Sequence, residues 1–322
     1  MFETGLLKAI YLGGEKNSLS IPTNEIDNAL ESNTPIWLHL DYTCQEVIDW
    51  LDDTHHIDNW ASEALTEIDV RSRAIIHKNS FYLSLRSINL NDDQDEEDMI
   101  SLRIYVKKNL IITTRRRELS ITEKVMENIE FEDDIPCELN VLITIIDTIT
   151  DEINQHIDHT VDHVDEIEEQ TLFNHSAAKQ DQLTKLRRNI LFLKRHITPQ
   201  REALKQLGLS NASRLQSFQP AIQQLFDSHI RMIEELDLAR ERCSLLQERI
   251  SNKLSEQINR RMYLFSLITA LFLPISSIAS LFGMNLGGIP LSTASWGFGT
   301  VCGILFGISF GVFVYLKKKR WF

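Results

Sequence analysis

Two groups of residues in this 322-residue chain have types and spacings that could do chemistry. The first lies in the uncharged, largely apolar run Met262 to Asn285, where Thr269, Ser276 and Ser280 recur at intervals of seven and four. Those intervals put three hydroxyls on one face of a helix, and Met262, Phe265, Leu273 and Gly283 extend that face both ways. Hydroxyl oxygens are weak ligands that let a hydrated cation move along a wall without trapping it. Ordinary helix packing in a membrane uses the same small polar residues. The run closes on Gly283-Met284-Asn285.

The second group is His156, His159 and His163, three and four residues apart, with Glu152 and Glu166 continuing their helical face. Neutral imidazole with carboxylate is a plausible zinc set. A helix spreads these rings over about 10 Å at ~1.5 Å per residue. One ion therefore does not easily take all three, although an adjacent pair could share one with a second chain. Asp151, Asp158, Asp162, Asp165, Glu168 and Glu169 surround them, so a solvated acidic face is the plainer account. His39, His77 and the pair His55-His56 are expected to be structural.

Catalytic chemistry is not indicated. The sequence has no H-E-x-x-H, no Rossmann fingerprint, no G-x-x-x-x-G-K and no nucleophile–base motif. Cys44, Cys137, Cys243 and Cys302 are widely separated, as expected of reduced thiols in a mostly cytosolic chain. The start, MFETGLLKAIYLGG, lacks a basic segment and a long apolar core, so no cleaved signal peptide is expected.

The elements that must position these residues follow from periodicity. Residues 1–135 read as a mixed α/β unit. Its β-prone runs are 6–12, 36–40, 74–77, 81–88, 100–106 and 110–114, and its helices 24–31, 44–55 and 59–68. The acidic stretch Asn89–Asp98 reads as a hairpin loop. It lacks the glycine and terminal glutamate of a calcium loop. Residues 136–215 read as two antiparallel helices, about 137–173 and 177–207, the second carrying Pro199. The first has an apolar stripe of Ile145, Ile149, Ile153, Ile157, Val164 and Ile167.

A third helix is expected from about Ser217. It has no Gly or Pro between Ala221 and Pro274. Ile222, Phe226, Ile233, Leu236, Cys243, Ile250 and Leu254 form its heptad-like seam, interrupted by His229, Arg240, Gln247, Gln257 and Arg261. Residues 216–261 are thus a stalk continuous with a first membrane crossing, 262–285. A turn at 286–295, a second crossing at 296–316 and a basic tail at 317–322 complete the chain. Unbroken from Ala221 to Phe282, the helix would be about 90–95 Å long at ~1.5 Å per residue. The second crossing has Gly299, Gly303, Gly307 and Gly311, a small-residue ridge that admits a close neighbour.

Arg260-Arg261 and Lys317–Arg320 flank the two crossings, which predicts both termini in the cytoplasm. From residue 262 onward there are four bases and no acid, so the other 29 bases stand against all 46 acids. A body this acidic disfavours nucleic acid and favours cations. Two crossings cannot enclose an ion path alone, so a homo-oligomer with one pore helix per subunit is required.

The fragment PISSIASLFGMNLGGIP, followed by a second crossing and KKKRWF, resembles the CorA superfamily of divalent-cation transporters. Gly283-Met284-Asn285 matches the family's marker at the outer end of the first crossing, and Pro274-Ile275-Ser276 matches its Pro-x-Ser/Thr. The turn Leu286-Gly287-Gly288-Ile289-Pro290 carries no carboxylate where magnesium-transporting members usually have an acidic loop. In this it resembles the ZntB branch, associated with zinc.

The resemblance implies an α+β cytoplasmic domain, a mixed sheet with flanking helices, followed by a stalk helix and two transmembrane helices. It implies a funnel-shaped homopentamer in the bacterial inner membrane, with Asn285 in a ring at the outer mouth. An amide oxygen there can accept hydrogen bonds from an ion's water shell without a full charge. Zinc would be the cargo, carried by proton-coupled uptake, and no resident cofactor is implied. The expected partners are divalent cations, lipid and further copies of the chain, with no nucleic acid. A magnesium or cobalt channel of the same fold is the alternative reading. A non-conducting, membrane-tethered helical scaffold is the alternative from another class. By the same resemblance the basic tail would ring the cytoplasmic opening.

Overall fold

Bulky β-branched and aromatic residues fill the short runs of the amino-terminal half, and in the computed structural model these runs pair into one six-stranded sheet. The structure describes residues 4–13, 20–68, 71–89, 99–131, 137–173, 177–210, 212–284 and 295–318. The acidic stretch 90–98, Asn285, the turn through Ala294 and the tail from Lys319 lie outside the described residues. Two compact units are present, Met1–Gln247 and Glu248–Phe322.

The strands of the first unit are β1 (Leu6–Tyr11), β2 (Ile36–Asp41), β3 (Arg73–His77), β4 (Ser80–Ser87), β5 (Ile100–Lys107) and β6 (Leu110–Arg115). Each lies within about a residue of the run that the sequence indicates. Their order is β1-β2-β6-β5-β4-β3. Only β2 and β6 run parallel, from Ile36 opposite Leu110 to Asp41 opposite Arg115; the other pairs are antiparallel.

Helices α1 (Ile26–Glu31), α2 (Gln45–Asp53) and α3 (Asn59–Thr66) cover one face. Their Val47, Leu51 and Leu65 pack with Leu38, Leu40, Tyr82, Tyr105 and Ile112 of the sheet. Side chains alternate along a strand, so Ser87 stands on the face opposite to Tyr82. It donates to Glu152 of α5 (Glu138–Phe173) at 3.1 Å, which places α5 over that second face. Helix α4 (Ser120–Phe131) joins it there, a helix that the sequence reading did not assign. Its buried Ile121, Val125, Met126 and Ile129 are spaced as one helical stripe.

Trp37 and His39 alternate with the apolar residues of β2 and are buried on the second face. The Trp37 indole donates to the Thr113 hydroxyl at 2.9 Å, and His39 Nδ1 lies 2.8 Å from the same oxygen. Burial holds the His39 imidazole far below its ordinary value, at about 3, so it is neutral.

Helix α6 (Ala177–Gly208) runs through Pro199, and α7 (Gln219–Phe282) runs through Pro274. The expected stripe of α5 is buried from Ile145 to Val164, and Ile167 is half-buried. On α7 the buried seam is Ile222, Leu225, His229, Met232, Ile233, Leu236, Ala239, Cys243, Leu246 and Ile250. His229 is therefore part of the seam and not an interruption of it. Its Nδ1 lies 2.9 Å from the Leu225 carbonyl, which satisfies one nitrogen inside the helix, and burial lowers its pKa. Leu225 takes the position that the sequence assigns to Phe226.

Polar links tie the three long helices together. Lys194 of α6 grips both carboxylate oxygens of Asp237 at 2.5 and 2.7 Å. Arg242 of α7 donates to Asp165 and Glu168 of α5, and Gln247 donates to Thr184 at 3.1 Å. Part of the acidic surface of α5 is thus matched by bases within the chain.

Candidate functional site

The second unit holds the end of α7 and α8 (Gly297–Lys318), the two helices long and apolar enough to cross a membrane. Along the first, the half-buried positions are Tyr263, Leu267, Leu271, Pro274, Ile275 and Ile278. They follow a spacing of three to four and so share one face. Met262, Phe265, Thr269, Leu273, Ser276, Ser280 and Gly283 are all exposed. At about 100° per residue their mean direction lies about half a turn from the half-buried face. The seven residues that the sequence groups together thus form a continuous stripe that the chain leaves uncovered.

The hydroxyls on this helix are partly committed. Thr269 donates to the Phe265 carbonyl at 2.9 Å and Ser277 to the Leu273 carbonyl at 2.8 Å. Each satisfies its proton inside the helix and leaves lone pairs on its oxygen outward. Pro274 has no N–H, so the Ala270 carbonyl lacks the donor that a helix normally supplies four residues on. A shallow groove lined by Phe265, Ser266, Thr269, Ala270, Leu273 and Pro274 opens here, with a volume of about 530 Å³. Three stripe residues, Ala270 and Pro274 therefore line one concavity.

The helix closes as the Gly283 N–H reaches the Ala279 and Ser280 carbonyls at 3.0 and 3.2 Å. A Cβ at Gly283 would stand 3.4 Å from the nearest atom, an ordinary contact, so nothing among the described residues requires glycine there. Met284 is exposed. Asn285 and the turn Leu286–Pro290, on which the zinc expectation rests, lie outside the described residues.

On α8 the less exposed positions are Gly297, Thr300, Val301, Leu305, Ser309 and Val312. Gly299, Gly303, Gly307 and Gly311 lie on another face, and a Cβ built on any of them meets nothing within 4 Å. The close neighbour expected along this ridge is not another part of the described chain.

On the histidine face, both glutamates have partners within the chain. Glu152 accepts from Lys124 at 2.7 Å and from Ser87, so it ties α4 and β4 to α5. Glu166 accepts from Gln170 at 3.0 Å. The His159 and His163 rings meet edge to face at 4.4 Å. Among the described residues no group of three His, Cys, Asp or Glu side chains could hold a metal ion. His156, His159, His163, Glu152 and Glu166 therefore share a helix face without converging in one chain.

A further cluster escaped the sequence reading. Arg86, Arg103, Arg116 and Arg117 line one cavity of the first unit, although they lie on different elements. Arg103 is only 1% exposed. A charged residue inside a strand reads like any solvent-facing one, so no periodicity marks it.

Comparison with known proteins matches this arrangement as a whole. The chain is 30% identical over 317 residues to the zinc transport protein ZntB of Yersinia enterocolitica, covering 97% of this chain and 96% of that one. It is 32% identical over 323 residues to the divalent cation transporter CmaX of Pseudomonas aeruginosa, covering 99% and 97%. A solved structure of the full-length CmaX protein superimposes with a TM-score of 0.85 at 31% identity, over 100% of this chain and 99% of that one. The sequence profile of the CorA-like Mg2+ transporter protein family matches residues 32–318, which takes in five of the six strands, the long helices and both apolar helices. The chain belongs to the CorA-like Mg2+ transporter family.

Proposed function

We propose that this protein is a transporter of divalent cations that carries zinc by proton-coupled uptake, with the uncovered stripe of α7 as the wall of the ion path. The observation that carries the reading is the stripe itself. Seven positions from Met262 to Gly283 are exposed along one face of a membrane-length helix, opposite its half-buried face. In a homopentamer, five such stripes would face a common axis. The oxygens of Thr269, Ser276 and Ser280, with the Ala270 carbonyl, would pass the ion onward, and Asn285 would meet it at the outer mouth. Both termini would be cytoplasmic, with Lys317–Arg320 around the inner opening.

Zinc as cargo is supported by the likeness to ZntB at 30% identity and by the uncharged turn after Asn285. A magnesium channel is the second reading, favoured by the description of the family whose profile matches. Zinc and magnesium competition in proteoliposomes, with and without an imposed pH gradient, separates the two. Zinc entry that magnesium does not inhibit, and that an inward proton gradient speeds, is the expected result. Asn285→Ala should abolish entry while the oligomer elutes unchanged; normal uptake by that variant would remove Asn285 from the path. Absence of any flux would leave a non-conducting scaffold.

A further inference from the structure

Two of the long helices carry exposed ridges of opposite charge with matching intervals. On α6, Arg188, Leu191 and Arg195 stand three and four residues apart and share one helical face. On α7, Glu234, Leu238 and Glu241 stand four and three apart and share another. All six side chains are exposed, Leu191 at 44% and Leu238 at 59%. Followed in opposite directions, the ridges correspond residue for residue: Arg195 to Glu234, Leu191 to Leu238 and Arg188 to Glu241.

Their levels correspond as well. Lys194 grips Asp237, and Gln247 donates to Thr184, so α6 and α7 run antiparallel and keep step over ten residues. Counted from Lys194 opposite Asp237, the residues Arg195, Leu191 and Arg188 lie level with positions 236, 240 and 243. Each is two residues from its counterpart on α7, about 3 Å at ~1.5 Å per residue. Within one chain the ridges do not meet, because each lies roughly opposite the buried face of its own helix. Rotation about an axis along these helices keeps every residue at its level. In a ring of more than two identical subunits, each contact joins two different faces. The α7 ridge against another α7 ridge would set glutamate beside glutamate, whereas the mixed pairing sets opposite charges on either side of a leucine contact. Flanking charges of this kind select partner and orientation between helices.

We propose that the α6 ridge of one subunit docks on the α7 ridge of the next copy, with Leu191 against Leu238 between the ion pairs Arg195–Glu234 and Arg188–Glu241. The inference rests on the ring of copies in the proposed function and names the surfaces by which neighbouring first units meet. The leucines supply apolar contact, and the two ion pairs fix the register.

The test is disulfide cross-linking of the full-length, cysteine-free protein in detergent micelles, read on non-reducing gels beside light scattering of the same sample. Leu191→Cys combined with Leu238→Cys should give a ladder of covalent multimers on oxidation with copper phenanthroline. Either cysteine alone should leave the chain at monomer mass. In the double-cysteine protein, Arg188→Glu should lower the multimer yield several-fold, and adding Glu241→Arg should restore it. All four positions are exposed, so these variants keep the fold. An oligomer in light scattering that gives no multimers on oxidation would overturn this interface and leave the ring standing. A monomer in light scattering would overturn the ring and the interface together. Multimers from either cysteine alone, or a yield that Arg188→Glu does not change, would overturn the interface as well.

Discussion

His39 illustrates how a residue with chemical potential can be committed to structure. It lies on β2 against the Thr113 hydroxyl, 3% exposed, with its pKa held at about 3 by burial. In the unfolded chain the same imidazole takes up its proton near 6.5, and the folded one does not until far lower. Its contribution to stability is therefore whole above 6.5 and is lost as pH falls from there towards 3. At pH 5 the loss is about 2 kcal/mol, since each tenfold change in proton affinity is worth about 1.4 kcal/mol. Buried His229 acts in the same direction. Thermal unfolding in detergent should show a lower midpoint at pH 5 than at pH 7, with the difference reduced in His39→Gln. An equal drop in both proteins would remove His39 as a cause. Pro274 is a second case, on the helix that is proposed to line the ion path but not on its stripe. Pro274→Ala supplies the missing N–H to the Ala270 carbonyl and straightens the hydrogen-bond ladder, worth about 3 kcal/mol in a helix interior. A higher thermal midpoint and a several-fold slower zinc flux are expected. Unchanged flux would mean that the freed carbonyl is not used.

At the scale of elements, what is visible in the sequence follows the reach of each signal. Strand and helix positions rest on local periodicity, and the runs around Phe81–Ile88 and Ile100–Val106 mark β4 and β5 to within a residue. The parallel pairing of β2 with β6 joins residues more than seventy positions apart, and no local pattern encodes it. Helix α4 was legible in Ile121, Val125 and Ile129, but it is short and lies between an arginine run and an acidic run that mask its stripe. The seam of α7 was legible except where it takes a polar residue. His229 reads as a break because the Leu225 carbonyl that satisfies it is supplied only by the formed helix. The stripe of the first crossing was legible in full, since spacing alone places its members on one face; that the chain leaves this face uncovered was not. The glycine ridge of α8 gives the element-scale prediction. A Cβ added at Gly307 meets nothing within 4 Å among the described residues, so the Gly307→Leu side chain starts from open space. Circular dichroism should thus show a folded protein, while light scattering should show the oligomer reduced to smaller species. An intact oligomer would place that ridge against lipid.

For the whole molecule, family membership and two membrane-length helices fix the class of protein, a divalent-cation transporter of the CorA-like family. The central claim is narrower: ions pass along the stripe from Met262 to Gly283 and nowhere else on the helix. The direct measurement is zinc uptake by proteoliposomes of cysteine-free protein carrying single cysteines, before and after a membrane-impermeant thiol reagent. Leu273→Cys, Ser276→Cys and Ser280→Cys are predicted to lose most of their uptake on labelling. Leu271→Cys, Ile275→Cys and Ile278→Cys, on the half-buried face, are predicted to keep theirs. Block at the second set with none at the first would contradict the assignment of the stripe to the ion path.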